Sequence, residues 1–225
     1  MDTLFDREQR HAKVPERHGA ARPAKPAFGL RWIPVRTLAP RHRPRLLKHL
    51  LALDDRDRYL RFGYAASDAQ IERYVEHINF ERDEVFGVFD RRLALVAVAH
   101  LAYLEGHASG RPCAEFGVSV AKASRGRGYG ERLFDHAALH ARNRGVDTLL
   151  VHALSENTAM LRIAHNAGAS IVRDGPESEA RVQLAPENLA SHMEELVEGH
   201  AADLDYRLKL QVNRVDELLC ASGRD

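Results

Sequence analysis

Cysteine is nearly missing from this sequence. Cys113 and Cys220 are the two in 225 residues, and no CxxC pattern joins them. That excludes a disulfide scaffold and suits a reducing compartment. Charge of one sign is lacking as well. Lysine and arginine total 33 against 32 acids, a formal net charge of +1, so no global field steers the chain toward nucleic acid or an anionic membrane. No stretch approaches ~18 uninterrupted apolar residues, so no membrane span is expected. The opening MDTLFDREQRHAKVPERHGA has no apolar h-region, and no secretory signal is expected from it. Together these absences read as a cytoplasmic protein with neither nucleic acid nor membrane as partner.

What is there is ordinary for a soluble domain: 44% hydrophobic and 29% charged residues, in a chain long enough to bury a core without a staple. Residues 1–28 carry charges, Pro and Ala without an apolar period, and read as a mobile arm. LRWIPVRT (30–37) alternates like a half-buried strand. Leucines at helical spacing mark 44–55. Ile71, Val75 and Ile78 share one face of a helix over 67–78, capped by Ser67 or Asp68. EVFGVFD (84–90) and LALVAVAHLAY (93–103) stand at hairpin spacing, and CAEFGVSV (113–120) is a third strand. A helix over 132–145, a strand over 147–154, a helix over 157–168 and a closing hairpin follow. From 186 to 219 the apolar period is helical, with Gly199 and the polar stretch near Asp203 as candidate breaks. The order fits an α+β or α/β mixed sheet.

The stretch SRGRGYGERLF (124–134) carries the most chemistry. A strand running into a glycine-rich turn and then a helix makes an anion nest: outward-turned amides backed by the positive end of a helix. It is not a Walker loop, because Gly130-Glu131-Arg132 stands where Gly-Lys-Ser/Thr is required. Nor is it a dinucleotide fingerprint, because Gly126, Gly128 and Gly130 run GxGxG late in the chain.

VSVAKASRGRGYGERLFDHA resembles motif A of the GNAT superfamily of acetyl-CoA-dependent N-acetyltransferases, Gln/Arg-x-x-Gly-x-Gly/Ala after the fourth strand. LLVHALSENTAMLRIAHNAGA resembles the family's fifth strand and motif B, and the element order over 30–120 agrees. The resemblance spans roughly 30–185. It implies a GNAT fold: a mixed, mostly antiparallel central sheet flanked by helices, occupying 29–185. Residues 186–225 form a C-terminal helical extension.

The same resemblance implies site residues. Arg125, Gly126, Arg127, Gly128, Tyr129 and Gly130 would hold the pyrophosphate of acetyl-CoA, the co-substrate. Phe116, Val118 and Val120 would flank the pantetheine arm, with the Val118 N–H polarising the thioester carbonyl. Asn157 would touch the pantetheine, serve as a helix N-cap, or both. Glu115 is the candidate base, with a salt-bridged surface residue as its plain alternative. Arg58, Tyr59 and Phe62 fall where early helices border the acceptor, though the two aromatics fit a core equally well.

The sequence departs from the family at the leaving group. The motif B tyrosine, the usual acid, aligns with Ala164, and His165 is a candidate substitute one position round the helix. Two functions therefore stand open. One is an N-acyltransferase acting on a small-molecule amine or a protein lysine. The other is a GNAT-fold acyl-CoA sensor with weak or no catalysis. His136 and His140 have zinc-like i, i+4 spacing but no third ligand, so no metal is expected. The C-terminal apolar stripe either packs back on the domain or pairs with a second copy in a homodimer, and the reading leans to pairing.

Overall fold

Alternation along the strands sorts the core into two layers. The structure, a computed structural model, describes residues 32–104 and 112–222. The arm expected over 1–28 lies outside them. The described residues from Ile33 onward form one compact unit. Its strands are β1 (Arg36–Thr37), β2 (Glu84–Phe89), β3 (Leu95–Leu104), β4 (Cys113–Val120), β5 (Thr148–Leu154), β6 (Ser170–Asp174) and β7 (Glu177–Gln183). They form one sheet in the order β1-β2-β3-β4-β5-β7-β6. Every pairing is antiparallel except β4 with β5. This is the mixed, mostly antiparallel sheet that the resemblance implies.

On β2, Phe86 and Val88 join the core layer under α4 (Tyr129–Asn143) and α5 (Thr158–Asn166). Val85 and Phe89 join the other layer, under α1 (Arg43–Leu51) and α3 (Asp68–His77). A short α2 (Asp55–Phe62) stands between α1 and α3 in the chain. Its cap is Asp54, whose side chain accepts from the Asp57 N–H. The last element, α6 (Leu189–Ser222), is one unbroken helix. Among the described residues no helix is long and apolar enough to cross a membrane.

Three boundaries differ from the sequence reading. The strand expected over 30–37 pairs only at Arg36–Thr37 among the described residues. The helix expected from 132 starts at Tyr129, because the loop glycine Gly128 serves as its N-cap with φ +80. The break expected near Gly199 is absent. Contacts on both sides of it clamp α6 to the domain: Glu195 to His140, Glu198 to His136 at 2.8 Å and to Arg132 at 2.7 Å, and Asp203 to Arg36 at 3.5 Å. A single glycine costs a helix only about 1 kcal/mol relative to alanine, which contacts of this kind exceed.

These contacts also account for the histidine pair. His136 and His140 turn their rings edge-on to Phe86, with centroids 4.8 and 5.3 Å away. Both are buried and both meet carboxylates of α6. Burial would raise the Glu198 carboxyl, but the His136 hydrogen bond and the Arg132 charge prevail and hold it below the usual carboxylate range.

Candidate acyl-CoA and acceptor cleft

Strands β4 and β5 pair at three positions, Cys113 with Thr148, Ala114 with Leu149 and Glu115 with Leu150. Beyond Glu115 they part. The N–H of Ala121 donates to Val96 O at 2.9 Å on the β3 side. Backbone groups alternate along a strand, so the N–H and C=O of Val118 face the opposite edge, where β5 has left. A gap lined by unused peptide groups results.

The glycine loop closes one end of the gap. Gly126 and Gly128 have φ of +72 and +80, a region that costs an L-residue roughly 1–2 kcal/mol. Gly130 serves differently: a Cβ there would sit 3.2 Å from Ile163 Cδ1, where α4 and α5 meet. The first hydrogen bond of α4 runs from the Arg132 N–H to Gly128 O at 2.9 Å. The amides from Gly126 to Glu131 donate to no described acceptor. They are consecutive and lie at a helix N-terminus, and all but Arg127 line a cavity of about 400 Å³. That is the geometry of a phosphate cradle. The Arg125 side chain is committed elsewhere, to Asp57 and to Val120 O at 3.3 Å. The Arg127 side chain is exposed and lines neither cavity.

A second cavity of about 630 Å³ lies where the strands diverge. Leu60, Arg61, Val118, Asn157 and Met160 border both cavities. Asn157 caps α5 by accepting from the Met160 N–H at 3.2 Å. Its Nδ2 also donates to Leu60 O at 3.4 Å, joining α5 to α2. It is therefore a cap and a cleft residue at once.

Parity on β4 holds. Phe116 is buried and packs edge-on against Phe134 of α4, with centroids 5.1 Å apart. Glu115, Gly117 and Ser119 face the other layer. Glu115 Oε1 stands 3.3 Å from His152 Nδ1, and His152 Nε2 stands 3.3 Å from Glu179 Oε2. Glu179 in turn binds Arg181. Chiefly through the Arg181 hydrogen bond, with burial opposing, the Glu179 carboxyl is held below its ordinary value. Ser119 Oγ is 2.9 Å from Nε2 of the buried His49.

Between these two, the Arg61 guanidinium covers Gly117 so closely that a Cβ there would lie 2.9 Å from it. Arg61 Nη2 donates to Tyr74 Oη at 3.0 Å, and that oxygen lies 2.8 Å from His100 Nδ1. His100 Nε2 is 3.4 Å from Asp83. Burial, reinforced by the Arg61 charge, lowers the His100 pKa. Arg61 forms no ion pair with a described carboxylate.

The structure thus brings together Glu115, Phe116, Val118, Val120, Arg125, Gly126, Gly128, Tyr129, Gly130 and Asn157, with Phe62 beside them. It leaves out others. Arg58 and Tyr59 line neither cavity. Arg58 spans Leu53 O, Leu51 O and Asp68, tying α2 to its neighbours. His165 is exposed on α5 and lines neither cavity. Ala164 is fully buried. Sequence reasoning missed Arg61, His152 and Glu179. For His152 a signal existed: it is the single polar residue inside the run LLVHAL.

A sheet opened between two parallel strands, with a loop of uncommitted amides at one end, fits an extended thioester bearing a phosphate tail. That is the build of a transferase that uses acyl-CoA. The family profile described as Acetyltransferase (GNAT) domain matches residues 33–170, and the chain belongs to this family of acyl-CoA-dependent acyltransferases. No curated protein matches it. Among solved structures, the GNAT domain of S. lividans PAT is 24% identical, with a TM-score of 0.56 over 67% of this chain and 89% of that one. The ribosomal-protein-alanine N-acetyltransferase from Brucella melitensis is 18% identical, with a TM-score of 0.52 over 67% and 99%. The yncA structure from Salmonella typhimurium, determined with its cofactor acetyl-CoA, is 15% identical, with a TM-score of 0.53 over 70% and 97%. At these identities the likeness is one of fold.

Proposed function

We propose that the chain is an N-acyltransferase that moves an acetyl group from acetyl-CoA to a primary amine. The observation that carries the reading is the row of uncommitted amides from Gly126 to Glu131, adjoining the gap between β4 and β5. These amides would hold the pyrophosphate, and the gap would take the pantetheine arm. Bound there, acetyl-CoA supplies an acetyl thioester.

The chain's own residues do the rest. The Val118 N–H donates to the thioester carbonyl oxygen and polarises it. The Glu115 carboxylate takes a proton from the acceptor's ammonium, directly or through one water, with His152 holding it in place. The freed amine forms the C–N bond as the C–S bond breaks; the nitrogen's surplus proton passes to water, and CoA leaves as a thiolate. A thiol of pKa ~8.5 is able to leave without an acid, which matters because α5 supplies none. Four carboxylates, Glu115, Asp174, Glu177 and Glu179, border the larger cavity against Arg61, Arg181 and His152. That balance suits a cationic acceptor, either a small-molecule amine or a protein lysine.

A second reading rests on one observation. With Ala164 buried and His165 turned away, the domain has the form of an acyl-CoA sensor with weak transfer. Acetyl-CoA turnover over a broad panel of amines decides between the two. Turnover that falls in Glu115→Gln supports the enzyme; binding without turnover on any amine supports the sensor.

A further inference from the structure

Helix α6 has two opposed faces. The inner one is committed to the domain through Ser191, Glu195, Glu198, Tyr206 and Lys209, which meet α4, α1 and the end of β2. The outer one is an apolar row of Leu189, Met193, Val197, Leu204, Leu208 and Val212, each between 54% and 81% exposed. Met193 lies about 200° round the helix from both Ser191 and Glu195. The row therefore points away from the domain, and no described element covers it. It runs for about 35 Å at 1.5 Å per residue. Exposed apolar rows of this extent mark interfaces.

The spacing identifies the occupant. The row is symmetric about the peptide bond between His200 and Ala201. Val197 and Leu204 stand equally far from it, as do Met193 and Leu208, and Leu189 and Val212. Two copies laid antiparallel about that point put Val197 against Leu204 and Met193 beside Leu208, with Leu189 and Val212 level at the ends. Leu196, on the flank of the row, is level with the acidic Asp205 in this register and lacks an apolar counterpart.

The area suffices. Burying a side chain of this size at about 25 cal/mol per Å² corresponds to roughly 60–120 Å². Two rows with their flanking atoms reach the ~1,000 Å² expected of a specific interface.

We propose that α6 pairs two copies of this chain as an antiparallel helix dimer with its twofold axis between His200 and Ala201. The interface is isologous, so closure at two copies follows from the symmetry. This stands independently of the acyltransferase reading.

Sedimentation of the full chain over a wide concentration range tests it. A dimer is expected, and Leu204→Glu should turn it into a monomer of unchanged helicity, because Leu204 is 62% exposed and makes no fold-holding contact. Register is read by cysteine cross-linking in a Cys220→Ser background, Cys113 being buried. Met193→Cys mixed with Leu208→Cys should cross-link, and either one alone should not. A chain monomeric at every concentration overturns the proposal, since the row is then covered from within the chain or left for another protein. So does a dimer indifferent to Leu204→Glu. Cross-linking of Met193→Cys to itself, the mark of a parallel pair, overturns the register.

Discussion

Glu115 Oε1 and His152 Nδ1 face each other at 3.3 Å across the point where β4 and β5 part. The pairing of those strands ends at Glu115, so the carboxylate stands at the head of the gap rather than inside a closed sheet. Its side chain is 44% exposed and reachable by an acceptor. Glu115→Gln should lower kcat/KM by about 10²–10⁴ while leaving the acetyl-CoA thermal shift intact. Steady-state kinetics with a titrating melt checks both. An unchanged rate removes Glu115 as the base.

The loop glycines predict a different signature. Gly128→Ala places a Cβ at φ +80 and should cost roughly 1–2 kcal/mol of stability. A cost of that size lowers the Tm of a chain this long by about 2–8 °C. The same change disturbs the amide row, so acetyl-CoA affinity should fall along with it. Calorimetry on the variant measures the two effects separately. Lost stability with full affinity would move the phosphate site away from these amides.

Glu198 joins α6 to α4 through His136 and Arg132. Glu198→Ala leaves the buried His136 without its carboxylate, at about 1.5–3 kcal/mol for hydrogen bonds to charged groups. A Tm drop of several degrees is expected, with the acetyl-CoA response retained in the variant. Differential scanning calorimetry with and without ligand is the check.

Stability should also respond to pH with a definite sign. Burial lowers the pKa of His42, His49 and His100 below 6.5 in the folded chain. Below pH 6.5 the unfolded chain takes up protons that these buried rings do not, so the unfolded state gains. Their contribution is full above pH 6.5 and declines as pH falls toward their folded values. The carboxylates Glu84 and Glu198, held below 4.5, add losses only at more acid pH. Melts at pH 7.5 and 5.5 should show the lower Tm at 5.5. A higher Tm at 5.5 would mean that proton uptake by the fold, as at Asp135, whose carboxyl burial pushes up to about 6, outweighs these histidines.

How far the sequence was legible follows from the kind of signal each element carries. The strands from β2 to β5 and the helix with Ile71 and Val75 have strong periods, and their cores match them. The glycine loop was legible because positive φ and a helix start leave a compositional trace. The start of α4 was not: Tyr129, Gly130 and Glu131 carry no apolar period, and the loop glycine Gly128 is itself the cap. Helix α2 escaped notice because DDRDRYLRF has little apolar stripe and is held by Asp54 and Arg58. That put Arg58 and Tyr59 beside Phe62 at the acceptor, whereas in the fold Phe62 lines the larger cavity and Arg61 stands there in place of the other two. Glu179 became part of the site only through pairing of β5 with β7, His152 opposite Glu179. No local pattern reports such a contact. The unbroken α6 across Gly199 depends likewise on contacts from a distant helix.

The central claim is that the amides from Gly126 to Glu131 and the gap beside them hold acyl-CoA. Thermal melting with and without acetyl-CoA, using NADH and ATP as controls, tests it most directly. At 100 times its Kd a ligand stabilises the folded chain by about 2.7 kcal/mol, so a Tm rise of roughly 5–11 °C with acetyl-CoA and none with the controls is predicted. No rise with acetyl-CoA or any longer acyl-CoA would contradict the account.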